Sequence, residues 1–380
     1  MSGVAVDVVW ILAALSAGFG AAFLYPYLIY PGLLRLLPMV PIRRAPADLT
    51  TALLFCVYNE AEVLPGKLDN LRRLKSGRPE LEILIYDDSS TDGSGEMLAR
   101  ESDWITVIPG PGRTGKAAGM KQLAQATTAD ILIFTDADVI LSDDLVDRLL
   151  PYYADPDVGG VSGTLRSASE RGSATSQVGS AYTGWDDRLQ RLESATGNVM
   201  GASGGLFSVR RDLYPNFPDT VQDDFTVSMS VIFQGKRLVK GTDVIAFENA
   251  VTRREEETRR KIRIGARAFH THLCFRHQVK AMSTVDRFKY VSHKMLRWFG
   301  GIFLALSGLF ALAAILAINL KAALVTAAVG IVALAIGMRA RRGPVGKLAE
   351  IVLATYATLI GVFMGLFGQT VATWSPAKSR

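Results

Sequence analysis

Four long apolar stretches, one at the start of the chain and three near its end, constrain the fold more than any other feature. The first runs from Val4 to about Tyr30 with Asp7 as its only charge, and it is long enough to cross a hydrocarbon core of about 30 Å. A secretory signal would have a shorter apolar run, a basic start and a small-residue cleavage site. We therefore interpret this stretch as an uncleaved membrane anchor.

Three further apolar stretches near the C-terminus are predicted to be membrane segments. They run from Phe299 to Ile318, from Ala322 to Met338 and from Leu348 to Phe367. The last contains Glu350 and is followed by a tail with Lys378 and Arg380. Because a carboxylate is costly in hydrocarbon, the sequence leaves open whether this stretch spans the bilayer or lies at its interface.

The distribution of basic residues predicts the orientation of these segments. Two clusters are informative: Arg35, Arg43 and Arg44 after the first stretch, and Arg339, Arg341, Arg342 and Lys347 before the last one. Tyr25, Tyr27 and Tyr30 lie where an aromatic belt would meet the headgroups. By the positive-inside rule both basic clusters are cytoplasmic, which places the polar middle of the chain in the cytoplasm and Met1 outside.

Between about residues 50 and 250, short apolar runs alternate with helical patterns. The strand-like runs are Thr51–Val57, Glu82–Tyr86, Ile105–Ile108 and Ile131–Thr135. This alternation predicts an α/β domain with a mainly parallel sheet and helices on both faces. Ligands of such sheets bind beyond the carboxyl ends of the strands, and polar clusters follow several of these runs. We therefore expect one shared site at that edge.

Asp136 and Asp138, separated by one alanine, follow an apolar strand. Two such carboxylates can share Mg²⁺, which prefers one or two carboxylates together with substrate phosphate oxygens. Aspartates also occur in ordinary strand-to-loop turns, so the pair is informative mainly in combination with the other clusters. Asp88, after another strand, could accept hydrogen bonds from a base or a ribose, and Asp92 is assigned to the following helix cap.

The segment from Gly110 to Lys116 nearly matches a Walker A loop, so a P-loop ATPase is the main alternative of another class. The position that should carry the Mg²⁺-binding hydroxyl is Ala117. Two βα units also precede the loop, whereas a Walker A loop usually follows the first strand. A glycine-rich turn with Lys116 nevertheless suits a diphosphate.

Taken together, these motifs resemble those of family-2 glycosyltransferases of the GT-A fold. The ordered elements are Phe55–Glu60 (FCVYNE), Asp87–Asp92 (DDSSTD), Gly115–Ala117, Asp136–Asp138, Gly201–Arg211 (GASGGLFSVRR), Gln222–Phe225 (QDDF), Gln234–Lys236 and the strand to Asn249. The resemblance covers about residues 50 to 300 and implies inverting transfer from a nucleotide-diphospho-sugar, usually a uridine one, with Mg²⁺ or Mn²⁺.

The resemblance also implies a role for individual residues. The nucleotide-sugar would contact Tyr58, Asn59, Glu60, Asp88, Lys116, Asp136, Arg260 and Arg263. Asp136 and Asp138 would bind the metal. The acceptor side would include Gly204, Gly205 and Trp185, although core packing is an equal alternative for Trp185.

Asp224 is the candidate general base, and Asp223 beside it could raise its pKa by like-charge repulsion. The alternative is an acidic helix start that complements the macrodipole. All four histidines, His270, His272, His277 and His293, lie beyond the catalytic middle. This leaves a carboxylate as the natural base, and we interpret the histidines as solvated or interfacial.

Two departures from the family pattern bear on the product. Processive members usually have Gln-x-x-Arg-Trp, whereas this chain has Arg260-Lys261-Ile262-Arg263-Ile264. The arginine is kept, but the tryptophan that could stack on an acceptor sugar is Ile264. The family's asparagine after Gly-Lys is Lys121. These departures count against long-chain processivity. A processive polysaccharide synthase, similar to cellulose or hyaluronan synthases, is kept as the alternative of the same class.

The segment from Arg253 to Arg297 contains thirteen Lys or Arg against four Asp or Glu, with aromatic residues interleaved. This pattern predicts amphipathic helices on an anionic leaflet, or else a solvated basic face of the domain. The net charge of +6 fits an acidic partner, but no aromatic-basic signature of nucleic-acid binding is present.

We therefore predict four parts: an anchor (1–37), a cytoplasmic GT-A domain (50–252), interface helices (253–298), and two or three transmembrane segments with a short tail (299–380). The protein is expected in the bacterial inner membrane, where it would glycosylate a lipid-linked or glycan acceptor in exopolysaccharide synthesis. A non-catalytic basic membrane scaffold is the third alternative.

Overall fold

A computed structural model describes residues 3–167, 173–249, 251–340, 343–370 and 373. The residues of the sequence-based predictions that lie outside these ranges are Met1, Arg341, Arg342, Lys378 and Arg380. The strands are β1 Thr51–Val57, β2 Glu82–Asp87, β3 Thr106–Pro109, β4 Ile131–Thr135, β5 Ile140–Leu141, β6 Val158–Ser167, β7 Leu206–Arg210 and β8 Arg237–Glu248.

The helices surround this sheet and extend from it at both ends of the chain. They are α1 Gly3–Leu34, α2 Leu64–Gly77, α3 Ser94–Ala99, α4 Lys116–Gln125, α5 Leu145–Leu149, α6 Ala174–Ala195, α7 Asp223–Phe233, α8 Arg254–Cys274, α9 Arg276–Ala281, α10 Thr284–Tyr290, α11 Leu296–Trp298, α12 Gly300–Ile318, α13 Leu320–Arg339 and α14 Gly343–Leu366. A π-helical turn, Val291–Met295, joins α10 to α11.

The strands form one mixed sheet in the order β3-β2-β1-β4-β7-β6-β8-β5. The prediction of an α/β domain is confirmed, but the sheet is less parallel than expected. Strands β1 to β4 pair in parallel, whereas β7 runs antiparallel to both β4 and β6. Only tertiary pairing sets the direction of a strand that returns from a distant part of the chain.

This topology brings several loops to one edge of the sheet. Strands β1, β2 and β4 end there, and the antiparallel strand β7 begins there, with Leu206 opposite Thr135. Strand β8 runs parallel to β6 and so ends at the same edge, at Glu248. The interior is apolar: every residue of β1 is buried, and the rings of Phe134 and Phe207 stack at 4.7 Å between centroids.

Four helices, α1, α12, α13 and α14, are long and apolar enough to cross a membrane, which supports membrane association. They coincide with the four predicted stretches. Helices α1 and α12 pack together: Ser16 and Ser307 each donate a hydrogen bond to the other's carbonyl at 2.9 Å. Small polar residues join helices in this way where apolar attraction is weak.

Helix α14 packs along the basic helix α8, with backbone in contact with backbone. Gly361 lies against the carbonyl of Ile262, and Gly365 lies against the carbonyl of Ala266. A Cβ atom at either glycine would collide with those carbonyls, so the Gly-x-x-x-Gly spacing is what permits this approach. Helix α8 therefore buries one side against protein, and it does not rest on lipid over its whole length.

Glu350, the residue that made the last stretch ambiguous, is buried between three elements. Its carboxylate accepts hydrogen bonds from Arg254 Nε at 2.6 Å and from Thr175 Oγ1 at 2.9 Å. A buried carboxylate requires such partners. Glu350 thus fixes the start of α14 to α8 and to α6 of the catalytic domain.

The end of α1 is joined to the catalytic domain through a buried polar cluster. Tyr30 donates to Glu193 Oε1 at 2.7 Å, and His293 Nδ1 lies 2.8 Å from the same carboxyl oxygen. Tyr27 packs on Trp185 at 5.3 Å between ring centroids. The prediction that Tyr30 lies in an aromatic belt at the lipid headgroups is wrong, and so is the prediction that His293 is solvated. Both side chains are fully buried by this packing.

The His293–Glu193 pair predicts a pH-dependent contribution to stability. Burial acts to lower the pKa of His293, but Glu193 outweighs it and the pKa is raised above its ordinary value of 6.5. The stabilisation is therefore complete below pH 6.5 and is lost as pH rises through the raised folded pKa.

His293→Gln should cost about 1–3 kcal/mol at low pH, and less at high pH. Thermal unfolding of the detergent-solubilised protein at about pH 6 and pH 9 measures this. A difference between wild type and variant that is the same at both pH values would contradict the prediction.

Candidate active site

Three carboxylates converge on one partly buried lysine at the shared edge of the sheet. Lys116 begins α4 directly after the glycine-rich turn, and its Nζ lies 2.5 Å from Asp136 Oδ1 and 3.8 Å from Asp223 Oδ2. Burial acts to lower the pKa of Lys116, but Asp136, Asp223 and Asp224 together raise it above its ordinary value. The residues predicted for metal, diphosphate and base therefore share one cleft.

Asp224 lies at the first turn of α7, where Phe225 N donates to its Oδ1 at 2.7 Å. Its pKa is raised, first by burial and then by the negative charge of Asp223. The predicted like-charge effect is thus present but secondary to burial. Gly204 lies directly against the Asp224 carboxylate, and any side chain at position 204 would collide with it.

Helix α8 directs a row of arginines toward these carboxylates. Burial, Arg267 and Arg260 lower the pKa of Arg263, whereas Asp136 and Asp223 act to raise it. The guanidinium of Arg267 is buried 3.9 Å from Asp223. Arg263 thus interacts electrostatically with the cleft carboxylates, while Arg260 Nε donates to Glu257 at 2.9 Å. Contact of either arginine with the nucleotide stays a prediction.

Arg267 is a site residue that the motif-based reasoning missed. It follows Arg263 by one helical turn, and that spacing could have identified it.

Glu248, at the end of β8, is a second residue that the sequence analysis did not select. Burial raises its pKa to about 7; Arg260 acts to lower the pKa, while Asp138 and Asp136 raise it further. Its position follows from the sheet, since Phe247 pairs with Ile140 just after the Asp-Ala-Asp turn. Strand order is a tertiary property. In the sequence, Glu248 is only a polar residue at the end of a strand, and nothing there indicates that it lies near Asp136 and Asp138.

Asp88 is fully buried and anchors the glycine-rich turn. Its carboxylate accepts from Thr114 N at 2.7 Å, from Gly115 N at 3.1 Å and from Arg113 Nε at 3.1 Å. Arg113 in turn lies over the Tyr58 ring, with its guanidinium carbon 3.1 Å from the centroid. Asp88 thus has a positioning role in this structure, and direct nucleotide contact stays a prediction.

Asn59 and Glu60 join the end of β1 to the loop after β2. Asn59 has a positive φ of 52° and accepts from Thr91 N at 2.8 Å, and Glu60 N donates to Ser94 Oγ at 3.0 Å. Asp92 accepts from Ser94 N at 3.0 Å, but the N-cap residue of α3 is Gly93, so the predicted cap is displaced by one residue.

Trp185 lies on α6, where it faces α1. Its ring contacts Tyr27, and the Arg297 guanidinium carbon lies 5.4 Å from its centroid. The neighbouring Tyr182 lies 5.3 Å from Lys261 Nζ of α8. The described contacts of Trp185 therefore fit packing at the anchor. Gly205, by contrast, lies at the site edge, next to Gly204 and against Val139.

The metal-binding capacity of the cleft can be judged from its donors. Among the described residues no three His, Cys, Asp or Glu side chains are close enough to hold a metal ion together. Asp136 and Asp138 alone would leave most coordination positions to other oxygens, as Mg²⁺ bound to a diphosphate requires. The Lys116 ammonium lies directly beside Asp136, so this carboxylate already attracts a positive charge. The residues of the cleft therefore fit a divalent cation that also binds a diphosphate.

The shared edge of this mixed sheet carries three features: an Asp-Ala-Asp turn, a buried aspartate under a glycine-rich loop, and an acidic helix start. Together with the sheet, these features define a GT-A domain. Residues 53–216, less than half of the chain, match the model of glycosyl transferase family 2, so this part of the chain is similar to that family. The fold does not fit the P-loop alternative, because the Walker-like turn follows edge strand β3.

Comparison with solved structures extends the likeness to nearly the whole chain. The mannosyltransferase PcManGT from Pyrobaculum calidifontis, solved with GDP-Man and Mn²⁺, has the same fold with a TM-score of 0.72. The match covers 94% of this chain and 99% of that one at 24% identity. The match therefore extends beyond the sheet and includes most of the long apolar helices.

Curated relatives match only the catalytic part. Beta-monoglucosyldiacylglycerol synthase from Nostoc sp. is 24% identical over 186 residues, which are 47% of this chain and 40% of the relative. The enzyme of the same name from Synechocystis sp. is 27% identical over 167 residues, 42% of this chain and 35% of the relative. The alignments thus span less than half the length of these relatives.

Proposed function

We propose that this protein is a membrane glycosyltransferase that transfers a hexosyl group, with inversion, from a nucleotide-diphospho-sugar to a lipid acceptor. The observation that carries the proposal is the convergence of Asp136, Asp223 and Asp224 on Lys116 at the sheet edge. The arginines of α8 complete this cleft, and α8 itself packs on the apolar helix α14. A charged donor and an apolar acceptor would meet there.

The donor would be held mainly by charge. Asp136 and Asp138 would bind Mg²⁺ or Mn²⁺, which neutralises the negative charge that develops on the departing diphosphate. Lys116 and Arg263 would bind the diphosphate oxygens, and Arg260 adds a third cation on the same helix face. Asp88 would keep the loop before Lys116 in place through its hydrogen bonds to Thr114 and Gly115.

Asp224 would act as the general base. It takes the proton from the acceptor hydroxyl while that oxygen forms a bond to the anomeric carbon, and the bond from this carbon to the diphosphate oxygen breaks. Burial favours this role, because a raised pKa makes a carboxylate a stronger base. Gly204 leaves the carboxylate accessible from the loop side.

The acceptor is proposed to be a membrane lipid or lipid-linked glycan. Two kinds of observation support this: the catalytic cleft adjoins helices that are apolar enough to cross a membrane, and curated relatives are named as glucosyldiacylglycerol synthases. Ile264 in place of the family's tryptophan favours single transfer over a processive synthase. The basic segment 253–298 would add affinity for anionic lipids at the cytoplasmic face of a bacterial inner membrane.

The test is a screen of UDP- and GDP-sugars with vesicles that contain diacylglycerol or lipid-linked glycan, read out by released nucleoside diphosphate. Release should require Mn²⁺ or Mg²⁺ and stop with EDTA. Asp138→Asn should lower the rate about a hundredfold or more, whereas the exposed Asp103→Asn should not.

Two results would contradict the proposal. One is full activity in EDTA. The other is ATP hydrolysis that depends on Lys116, without sugar transfer.

A further inference from the structure

Lys67 is a fully buried lysine that contacts the segment next to the proposed cation-binding pair. It lies on α2, and its Nζ donates to the Val139 carbonyl at 2.6 Å and lies 3.4 Å from Thr135 Oγ1. The ring of Phe55 covers it, at 5.2 Å from Nζ to the centroid.

Asn70, one turn further along α2, binds the same segment. Its Nδ2 donates to the Leu141 carbonyl and its Oδ1 accepts from Leu141 N, both at 2.8 Å. Asn70 is also fully buried. Lys67 and Asn70, here called the α2 clamp, therefore fix residues 139 to 141, which directly follow Asp138.

The two aspartates offset the burial cost of the Lys67 ammonium through space, but only in part. Burial lowers the pKa of Lys67 to about 7, while Asp138 and then Asp136 act to raise it. A buried ammonium is costly unless opposite charge lies nearby, so the ammonium and this pair stabilise each other. A cation bound to the pair would compete with Lys67 for the same negative charge, and such coupling is reciprocal.

We propose that Lys67 is a positioning residue whose buried ammonium, held against the Val139 carbonyl, keeps Asp136 and Asp138 together before a divalent cation binds and weakens cation binding there. This inference rests on the cation site of the proposed function. Its consequence is an order of binding: the cation is retained when a diphosphate supplies further oxygens, and it leaves with the released nucleotide. Asn70, which has no charge, contributes only to the shape of the turn.

The test is Mn²⁺ binding to the full-length detergent-solubilised protein without nucleotide, at about pH 6, where Lys67 carries its proton. Binding is monitored through the electron paramagnetic resonance signal of free Mn²⁺. Lys67→Met should lower the Kd about tenfold or more, because it removes a nearby positive charge. Lys67→Gln, which keeps a donor for the Val139 carbonyl, should do the same, and Lys67→Arg should bind as wild type does. Asn70→Ala should leave the Kd unchanged or raise it.

A matched control is Lys289→Met. Lys289 is another fully buried lysine, and its Nζ donates to the Glu193 and Thr196 carbonyls at 2.9 and 3.0 Å. Its loss should lower thermal stability without changing the Mn²⁺ Kd.

Unchanged or weaker binding by Lys67→Gln and Lys67→Met would overturn the inference. Two results would instead count against the proposed cation site itself: a wild-type protein that binds no Mn²⁺ even with a nucleoside diphosphate, or an Asp138→Asn variant that binds it normally.

Discussion

Asp224→Asn should reduce glycosyl transfer about a thousandfold, since a positioned general base contributes about 10²–10⁴ to the rate. The amide has nearly the shape of the carboxylate and can still accept the hydrogen bond from Phe225 N. Donor binding should therefore remain, and the loss should appear in kcat. The measurement is nucleoside diphosphate release alongside the donor Kd.

The pH profile of the wild-type enzyme provides an independent check on Asp224. A base works only when it is deprotonated, and burial followed by Asp223 raises the pKa of Asp224. Activity should therefore fall as pH drops through that raised pKa. The exposed Asp212→Asn is the control and should behave as wild type. Wild-type turnover by Asp224→Asn, with normal donor binding, would exclude this residue as the base.

Gly361→Leu should abolish most activity although it lies in an apolar helix outside the catalytic sheet. A side chain at this position meets the Ile262 carbonyl and the Ala266 amide of α8, so α8 must move away from α14. Arg260 and Arg263 lie on the displaced segment. We expect a loss of about a hundredfold in kcat/KM and a destabilisation of about 1–3 kcal/mol from overpacking.

Gly330→Leu is the matched control for this substitution. Gly330 lies in α13, another candidate membrane helix, and nothing lies within 4 Å of a Cβ at that position. The control introduces the same apolar side chain without a collision, so activity and thermal stability should stay near wild type. Equal activity in Gly361→Leu and Gly330→Leu would show that the contact between α8 and α14 does not position the arginines.

The sequence was sufficient for features that depend on local patterns. Apolar length predicted the four candidate membrane helices. The alternation of apolar runs and helical patterns predicted the first four strands of the sheet, with no strand end displaced by more than one residue. The order of short motifs predicted the fold, because carboxyl ends of parallel strands meet at one edge. These signals are properties of neighbouring residues and need no knowledge of distant contacts.

Contacts between segments that are distant in the chain could not be predicted from the sequence. His293 is too far along the chain from Glu193 and Tyr30 for a pattern to join them, yet the three form one buried cluster. Likewise, the antiparallel return of β7 places Gly204 against Asp224, and β8 brings Glu248 to the Asp136–Asp138 turn. Each is a consequence of strand order, which the spacing of residues does not reveal.

The amino-acid sequence by itself determined which side chains are acidic, basic or apolar, and which local elements carry them. The tertiary structure alone decided that Lys67 lies under the Asp136–Asp138 turn and that α14 supports the arginines of α8. The physical reason is that burial and charge act through space. A lysine on a surface helix and a lysine beneath two carboxylates have the same sequence signature, and only packing distinguishes them.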